Sequence, residues 1–460
     1  MKLKKKIVRS LLILLLASGL VLIYYCRVSF PILTGYGTKV MCSAVFVAGR
    51  NEQQVRDQDL SSYMMKLADF KVNYEDSSVT GSILGFAKRK AIYRNGLGAT
   101  LVSELDEQII RSQHMNLPVK PLVNTDTVPW PLGDKLTGTF PSAMDSGKLQ
   151  SAIKRVFEEE DTILPVRTRA IVVLYNGQLI AERYADGFTA KTKLTGWSMT
   201  KSVTSALIGI LVKQGKLSID APAAVPEWSN TNDPRHSISM KNLLQQRSGL
   251  DFVEKYSRSS DATRMLFEKA DMGSYTASRP LKTKPGSVFY YSSGNSNILS
   301  RIIRQTLGDS SYHSFPYQQL FYKLGMYSAV LETDPSGTFV GSSYMYATAR
   351  DWARFGLLYL NDGVFNNERI LPKGWVAQST RPASADKQGY GYQIWLNAGG
   401  DTLIKKYPAA PADMFYADGF ESQLIFVIPS EKMVIVRLGL TQHNNFNANK
   451  FLQDVLASVK

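Results

Sequence analysis

Cysteine and histidine are scarce in this chain. In 460 residues the only cysteines are Cys26 and Cys42, and the only histidines are His114, His236, His313 and His443. Two thiols exclude a disulfide scaffold and a Cys-x-x-Cys metal cluster. They leave open one disulfide if this stretch lies outside the cytoplasm. No two histidines have metal-ligand spacing, so no metal is expected. A dense Lys/Arg stripe interleaved with aromatics is also missing, although the formal net charge is +15. Part of that charge sits in Lys2, Lys4, Lys5, Lys6 and Arg9 and the rest is scattered, so no nucleic-acid partner is expected. Hydrophobic content of 44% and charged content of 20% exclude wholesale disorder.

The one long apolar run spans residues 11–25, with no charge until Arg27. At fifteen residues it stands at the upper end of the usual signal-peptide core of ~7–15 and falls short of the ~20 of an ideal spanning helix. No small-x-small cleavage site follows it, and Cys26 lacks the small residues that lipoprotein processing would want. Tyr24 and Tyr25 suit a membrane interface, and the basic cluster belongs on the cytoplasmic side. The expectation is an uncleaved single-pass anchor in a bacterial-type inner (cytoplasmic) membrane. Residues from about 28 onward would then be extracytoplasmic (periplasmic). A removed signal is the alternative.

Three parts are expected: a basic N-terminus and anchor (1–27), an extension packed on the main domain (28–140), and the main domain (141–460). In the extension, 40–47 suggests a strand, 53–67 a short helix, and 96–104 a turn followed by an apolar stretch. Five prolines within 117–141 suggest an extended crossing segment. The main domain patterns more sharply. Residues 148–159 have helical spacing. Runs 170–175 and 178–184 flank Asn176-Gly177, a strong hairpin signal. Residues 199–214 carry apolar positions at helical period, with Gly215 at the C-cap position. Helical segments follow at 240–246, 296–306, 317–323 and 349–361, then a second hairpin (423–428 and 433–438) and a helix from Asn447. The fold class this implies is α+β, an α/β sandwich: an antiparallel sheet built from both ends of the domain and flanked by helices, plus an all-helical lobe. A cleft between sheet and lobe is the expected ligand site.

No Gly-x-Ser-x-Gly is present, and with so few histidines the search turns to serine chemistry without histidine. Ser-x-x-Lys places both side chains on one helix face, and a desolvated lysine can accept the serine's proton. The pattern occurs at Ser151–Lys154, Ser198–Lys201 and Ser384–Lys387. The first lies on a polar helix and the third in a loop. Only Ser198 opens a long apolar helix, after Gly196-Trp197.

From Ser198 onward the motifs accumulate. Trp197-Ser198-Met199-Thr200-Lys201-Ser202 is followed by Gln214-Gly215-Lys216-Leu217-Ser218-Ile219-Asp220, by Ile238-Ser239-Met240-Lys241-Asn242-Leu243-Leu244, and by Ser248-Gly249-Leu250. The succession resembles the class C β-lactamase-related serine hydrolases, a penicillin-binding-protein-like group. It includes small-ester esterases, D-amino-acid peptidases and 6-aminohexanoate-dimer hydrolases. The resemblance covers about 145–445. It implies a β-lactamase/transpeptidase-like fold, Ser198 as nucleophile and Lys201 as proton acceptor, and no cofactor. Pro285-Gly286-Ser287-Val288-Phe289-Tyr290-Tyr291-Ser292-Ser293-Gly294-Asn295 looks like the second motif and makes Tyr291 the catalytic tyrosine, with Tyr290 as a possible mis-registration. Trp197 and Ser293 become substrate contacts.

The third motif departs from the pattern. Where β-lactamases carry Lys-Thr-Gly, this chain has Asp418-Gly419-Phe420-Glu421-Ser422-Gln423. If Phe420 faces the cleft, strand alternation turns Glu421 away, and an aromatic ring replaces a cation. That favours a neutral small-molecule ester or amide with an apolar acyl group. The backbone N–H groups of Ser198 and Gln423 are the expected oxyanion hole. A D,D-peptidase or peptidoglycan amidase, and an inactive binding protein on the same fold, are the alternatives.

Overall fold

A computed structural model describes residues 2–158, 165–383, 389–398, 405–441 and 445–460. It begins with one 41-residue helix, α1 (Lys2–Cys42), which runs into a π-helical turn at Ser43–Val47. The stretch 40–47, expected as a strand, is therefore helical. β-Branched residues are only mildly unfavourable in a helix. Here Val40, Met41, Ala44, Val45 and Val47 are buried by continuing the helix that the apolar run starts. Cys26 and Cys42 lie sixteen residues apart on α1, about 24 Å along its axis. Both are free thiols, and this fold does not let them pair.

The extension continues with α2 (Glu52–Gln58), capped by the Asn51 side chain, and a four-stranded antiparallel sheet in sequential order. Its strands are β1 (Ala68–Asn73), β2 (Ser78–Ile83), β3 (Phe86–Arg94) and β4 (Gly98–Leu101). α3 (Glu107–Ser112) follows. Residues 117–141 hold no element beyond an isolated bridge between Pro129 and Lys135. The buried half of α1 lies against this sheet in a core with Ile32, Met41, Val45, Phe70 and Val79, which Met265, Leu266 and Phe267 from later in the chain help to fill.

The main domain opens with α4 (Ser146–Arg155) and the hairpin of β5 (Thr168–Tyr175) and β6 (Gln178–Tyr184). The turn residues Asn176 and Gly177 sit at φ +49° and +77°, the left-handed pair that a two-residue type I′ turn requires. β7 (Leu194–Thr195) and a 3₁₀ turn at Trp197–Met199 lead into α5 (Thr200–Lys213). The lobe follows as α6 (Met240–Leu244), α7 (Asp261–Glu268), α8 (Met272–Ala277), α9 (Ser293–Leu307) and α10 (Asp309–Tyr312). Two short strands, β8 (Val330–Leu331) and β9 (Met345–Ala347), join β7 in a three-stranded sheet. Then come α11 (Ala349–Leu360), the small hairpin β10 (Val364–Phe365) and β11 (Glu368–Arg369), and α12 (Trp375–Ser379). The chain closes with β12 (Trp395–Leu396), β13 (Phe415–Gly419), β14 (Gln423–Ile428), β15 (Met433–Gly439) and α13 (Ala448–Leu456).

The central sheet has the order β12-β13-β14-β15-β5-β6, antiparallel throughout, and so draws its strands from both ends of the domain. Its side chains alternate between two cores. Val172, Leu174, Ile425, Val427, Val434 and Val436 face α5 and α11. Ile171, Val173, Leu424, Phe426, Met433 and Ile435 face α4 and α13. Burial on both faces explains why these strands read as continuous apolar runs. The sandwich holds the N-terminal turn of α5 against the end of β13, and that junction carries the site.

Candidate active site

Gly196 is held between elements. Its N–H donates to Met345 O of β9 at 2.9 Å, and Trp197 follows at φ +45°, a conformation costly for any side chain with a Cβ. This turn presents Ser198 one residue before Met199 and the start of α5, not at an ordinary N-cap. Three residues on, the Lys201 amine donates to Ser198 Oγ at 2.9 Å, to Ser293 Oγ at 3.1 Å and to the Ser342 carbonyl at 2.9 Å. Lys201 is 1% exposed. Burial lowers its pKa from the ordinary 10.5 to about 8, with Glu254 pulling the other way.

Tyr291 stands beside the same pair. The Lys201 amine stands 5.0 Å from its ring centroid, and the Ser198 hydroxyl is among the neighbours that favour its ionised form. Desolvation, reinforced by Tyr390, keeps the phenol well above its usual range, so it stays protonated near neutral pH. Trp395 of β12 stacks on the ring at 5.4 Å and Tyr390 meets it edge-on at 5.9 Å. The neighbouring Tyr290 is 48% exposed and its oxygen accepts from Glu254 N–H, so it is Tyr291 that stands beside Lys201.

A buried amide network fixes the Tyr291 loop. Gln246 accepts from Ser292 N–H at 3.1 Å and from Asn295 Nδ2 at 2.8 Å, and bonds Gln393, which accepts from Ser296. Ser293, at the first turn of α9, donates its hydroxyl to Glu254 at 2.6 Å. Tyr256 bonds both Ser293 and Glu254. Sequence reasoning missed Glu254, Tyr256, Ser342, Tyr390 and Trp395, which no local spacing connects to Ser198.

The third motif has a different local structure from that expected. Residues 420–422 are the loop of the β13–β14 hairpin, with Glu421 and Ser422 at φ +62° and +63°. Strand alternation therefore does not separate Phe420 from Glu421; the turn does. Phe420 is 47% exposed and packs edge-on against Trp197 at 5.7 Å, beside Tyr256 at 6.2 Å. Glu421 lines a cavity with Tyr36, Asp59, Arg169 and Gln423. The Gln423 side chain ties the loop down through Phe420 O at 3.1 Å and Gly439 O at 2.7 Å. Gly419 passes so close to Gly196 that a Cβ would collide with its carbonyl, which brings this hairpin against the Ser198 turn.

Of the residues expected from sequence, Ser198, Lys201 and Ser293 form one hydrogen-bonded cluster, with the Tyr291 ring 5.0 Å from the Lys201 amine and Trp197 and Phe420 at the rim. The Ser151–Lys154 pair lies on α4 with Lys154 largely exposed. Ser384–Lys387 and His443 lie outside the described residues. His313 bonds Gly337 O and His236 bonds Trp228 O, both structural contacts.

Residues 154–457 match the family model described as Beta-lactamase. A 6-aminohexanoate-dimer hydrolase from Paenarthrobacter ureafaciens is 26% identical over 259 residues, covering 52% of this chain and 65% of the relative's length. The solved fold of a penicillin-binding protein homologue from Caulobacter crescentus superposes with a TM-score of 0.55 at 14% identity, covering 70% of this chain and 99% of that one. A family VIII carboxylesterase gives a TM-score of 0.54 at 14% identity, covering 70% and 98%. With a family match over about two-thirds of its length and that fold around its Ser-Lys pair, the chain belongs to the Beta-lactamase family.

Proposed function

We propose that the protein is a membrane-tethered serine hydrolase that cleaves a neutral ester or amide with an apolar acyl group. Ser198 Oγ attacks the carbonyl carbon and its proton passes to the Lys201 amine. The carbonyl oxygen becomes an oxyanion, held by the Ser198 N–H and a second backbone donor from the β13–β14 hairpin, for which Gln423 is the sequence's candidate. One such donor is worth ~2.7–4 kcal/mol in the transition state. The bond to the leaving group then breaks, and Tyr291, replenished from Lys201, protonates it. Water attacks the acyl-serine by the same relay in reverse, releasing the acid and restoring Ser198.

The observation that carries this reading is the Lys201 amine, buried, brought to about 8 and 2.9 Å from Ser198 Oγ. At neutral pH about a tenth of such an amine is unprotonated, against a few parts in ten thousand at 10.5. Phe420, Trp197 and Tyr256 give the cleft mouth an aromatic rim, which suits an apolar acyl group better than a carboxylate. The matched relative's name, hydrolase of a 6-aminohexanoate dimer, agrees with this reaction class. The exposed apolar face of α1 supports an anchor, with the N-terminal basic cluster in the cytoplasm and the catalytic domain outside.

The test is hydrolysis of p-nitrophenyl esters, butyrate included, by the full chain, Ser198→Ala and Lys201→Ala, with fluorophosphonate labelling alongside. The proposal expects both variants to lose turnover and Ser198→Ala to lose the label. Labelling that persists on another serine would sink it.

A further inference from the structure

We infer that the tip of the β2–β3 hairpin is a second membrane contact, seated in the lipid headgroup layer beside the point where α1 leaves the bilayer. This rests on the reading of α1 as a membrane span.

The placement follows from two contacts with α1 and the register of the hairpin. A Cβ on Gly81 would collide with the Thr38 hydroxyl, and the Thr34 hydroxyl donates to Ala87 O at 2.7 Å. Gly81 pairs with Arg89 and Ile83 with Phe86. Moving along β3 from Arg89 to Ala87 therefore follows α1 from Thr38 back towards Thr34, in the direction of the apolar run. Thr34 stands nine residues past Tyr25, about 14 Å along the axis. The turn at Leu84-Gly85 reaches about 6 Å further towards the membrane at strand rise. The tip backbone is then about 8 Å beyond Tyr25, and its side chains extend below that. A headgroup layer is roughly 5–7 Å thick on each side.

The chemistry of the tip fits that depth. Leu84 is 68% exposed and Phe86 71%, and Leu67, which precedes the partner of Ile83 in β1, is 40% exposed. Lys66 and Arg27, on the membrane side of Ala68 and Thr34, are exposed cations that complement anionic headgroups. The turn itself is the second argument. Leu84 and Gly85 hold φ +50° and +80°, the same two-residue left-handed turn that Asn176-Gly177 makes at the far hairpin. Asparagine suits that first position, whereas a leucine is strained there. An exposed leucine in a strained position gains nothing in water, but lipid contact would offset the strain. With α1 as the other support, two contacts fix the tilt of the domain. Tyr36, eleven residues past Tyr25, stacks on Trp197 at 6.2 Å, which sets the Ser198 turn about 16 Å above the hydrocarbon boundary.

The experiment uses the full chain with Cys26→Ser, reconstituted in vesicles of phosphatidylcholine and phosphatidylglycerol. A nitroxide is placed in turn at Leu14→Cys, Phe86→Cys and Lys216→Cys, and its collisions with oxygen and with a water-soluble nickel chelate are compared. The expected result is a deep position 14, a water-exposed position 216, and a position 86 with an oxygen-to-nickel ratio several-fold above that at 216. Position 86 matching 216 while 14 stays deep would overturn the inference and leave the anchor intact. Position 14 matching 216 would overturn the anchor, and this inference with it.

Discussion

In the proposed mechanism Glu254 acts on the base, Lys201, through one hydroxyl. It accepts from Ser293 at 2.6 Å, and Ser293 accepts from Lys201 at 3.1 Å, so the carboxylate and the ammonium stand within about 6 Å. At an effective dielectric of 20 that separation gives about 2.8 kcal/mol in favour of the charged lysine. Glu254 is partly exposed, so solvent screens it, and about half that figure, roughly one pH unit, is the realistic effect. Burial works in the opposite sense and dominates, since the fall from 10.5 to about 8 corresponds to about 3.4 kcal/mol. The sign follows directly. Lys201 must be neutral to accept the Ser198 proton, so kcat/KM for an ester should rise with pH and level off above about 8. Glu254→Gln removes the charge that favours the ammonium and keeps an acceptor for Ser293. The acid limb should then move down by about one pH unit, raising the fraction of plateau activity available at pH 7. The assay is kcat/KM for p-nitrophenyl butyrate from pH 5.5 to 9.5, where the limb reports the free enzyme. A limb that stays put or moves up in Glu254→Gln would refute the electrostatic argument. A wild-type limb near 10 would refute the assignment of Lys201 as a desolvated base.

Two further predictions concern the rim and the frame. Phe420→Ala should shrink the gain in kcat/KM from p-nitrophenyl acetate to butyrate by about tenfold, the scale of a lost methylene-sized apolar contact, with the acetate rate nearly unchanged. Lys39 on α1 forms a buried ion pair with Glu332, which also accepts from Ser43 Oγ at 2.9 Å and Ala99 N–H at 2.7 Å. Lys39→Met should destabilise the chain by about 3–5 kcal/mol in urea unfolding from detergent micelles. Adding Glu332→Gln should recover part of that loss, because the uncompensated charge is then gone.

What sequence revealed divides by the range of the interactions involved. The Asn176-Gly177 hairpin, the 423–438 hairpin and α5 were legible because turn chemistry and periodicity are local. Ser198 and Lys201 were legible for the same reason, being three residues apart on one helical turn. Tyr291 and Ser293 needed the family resemblance, since ninety residues separate them from Lys201. The sheet β1–β4 left no clear pattern. β1 is buried at one position in six and β3 at two in nine, so alternation is too weak to register. The valines of 40–47 misled for a related reason. Their β propensity is worth a few tenths of a kcal/mol each, and a helix already nucleated upstream buries them more cheaply than a new strand.

The hardest feature to read was the part α1 takes in the site. Tyr36 stacks on Trp197 and meets Phe267 edge-on at 5.9 Å, so a residue eleven positions past the apolar run supports the one before the nucleophile. Nothing between residues 28 and 40 signals this, because a tyrosine amid apolar residues looks the same whether it faces a sheet or a catalytic turn. The strain at Trp197, at φ +45°, makes that support consequential. A side chain in the left-handed region persists only where its surroundings over-determine it. Here Tyr36, Tyr344 and Phe420 enclose the indole on separate sides. The helix proposed as the anchor is thus also one wall of the turn that holds Ser198, so the proposed tether and the proposed chemistry meet in one stretch of the chain.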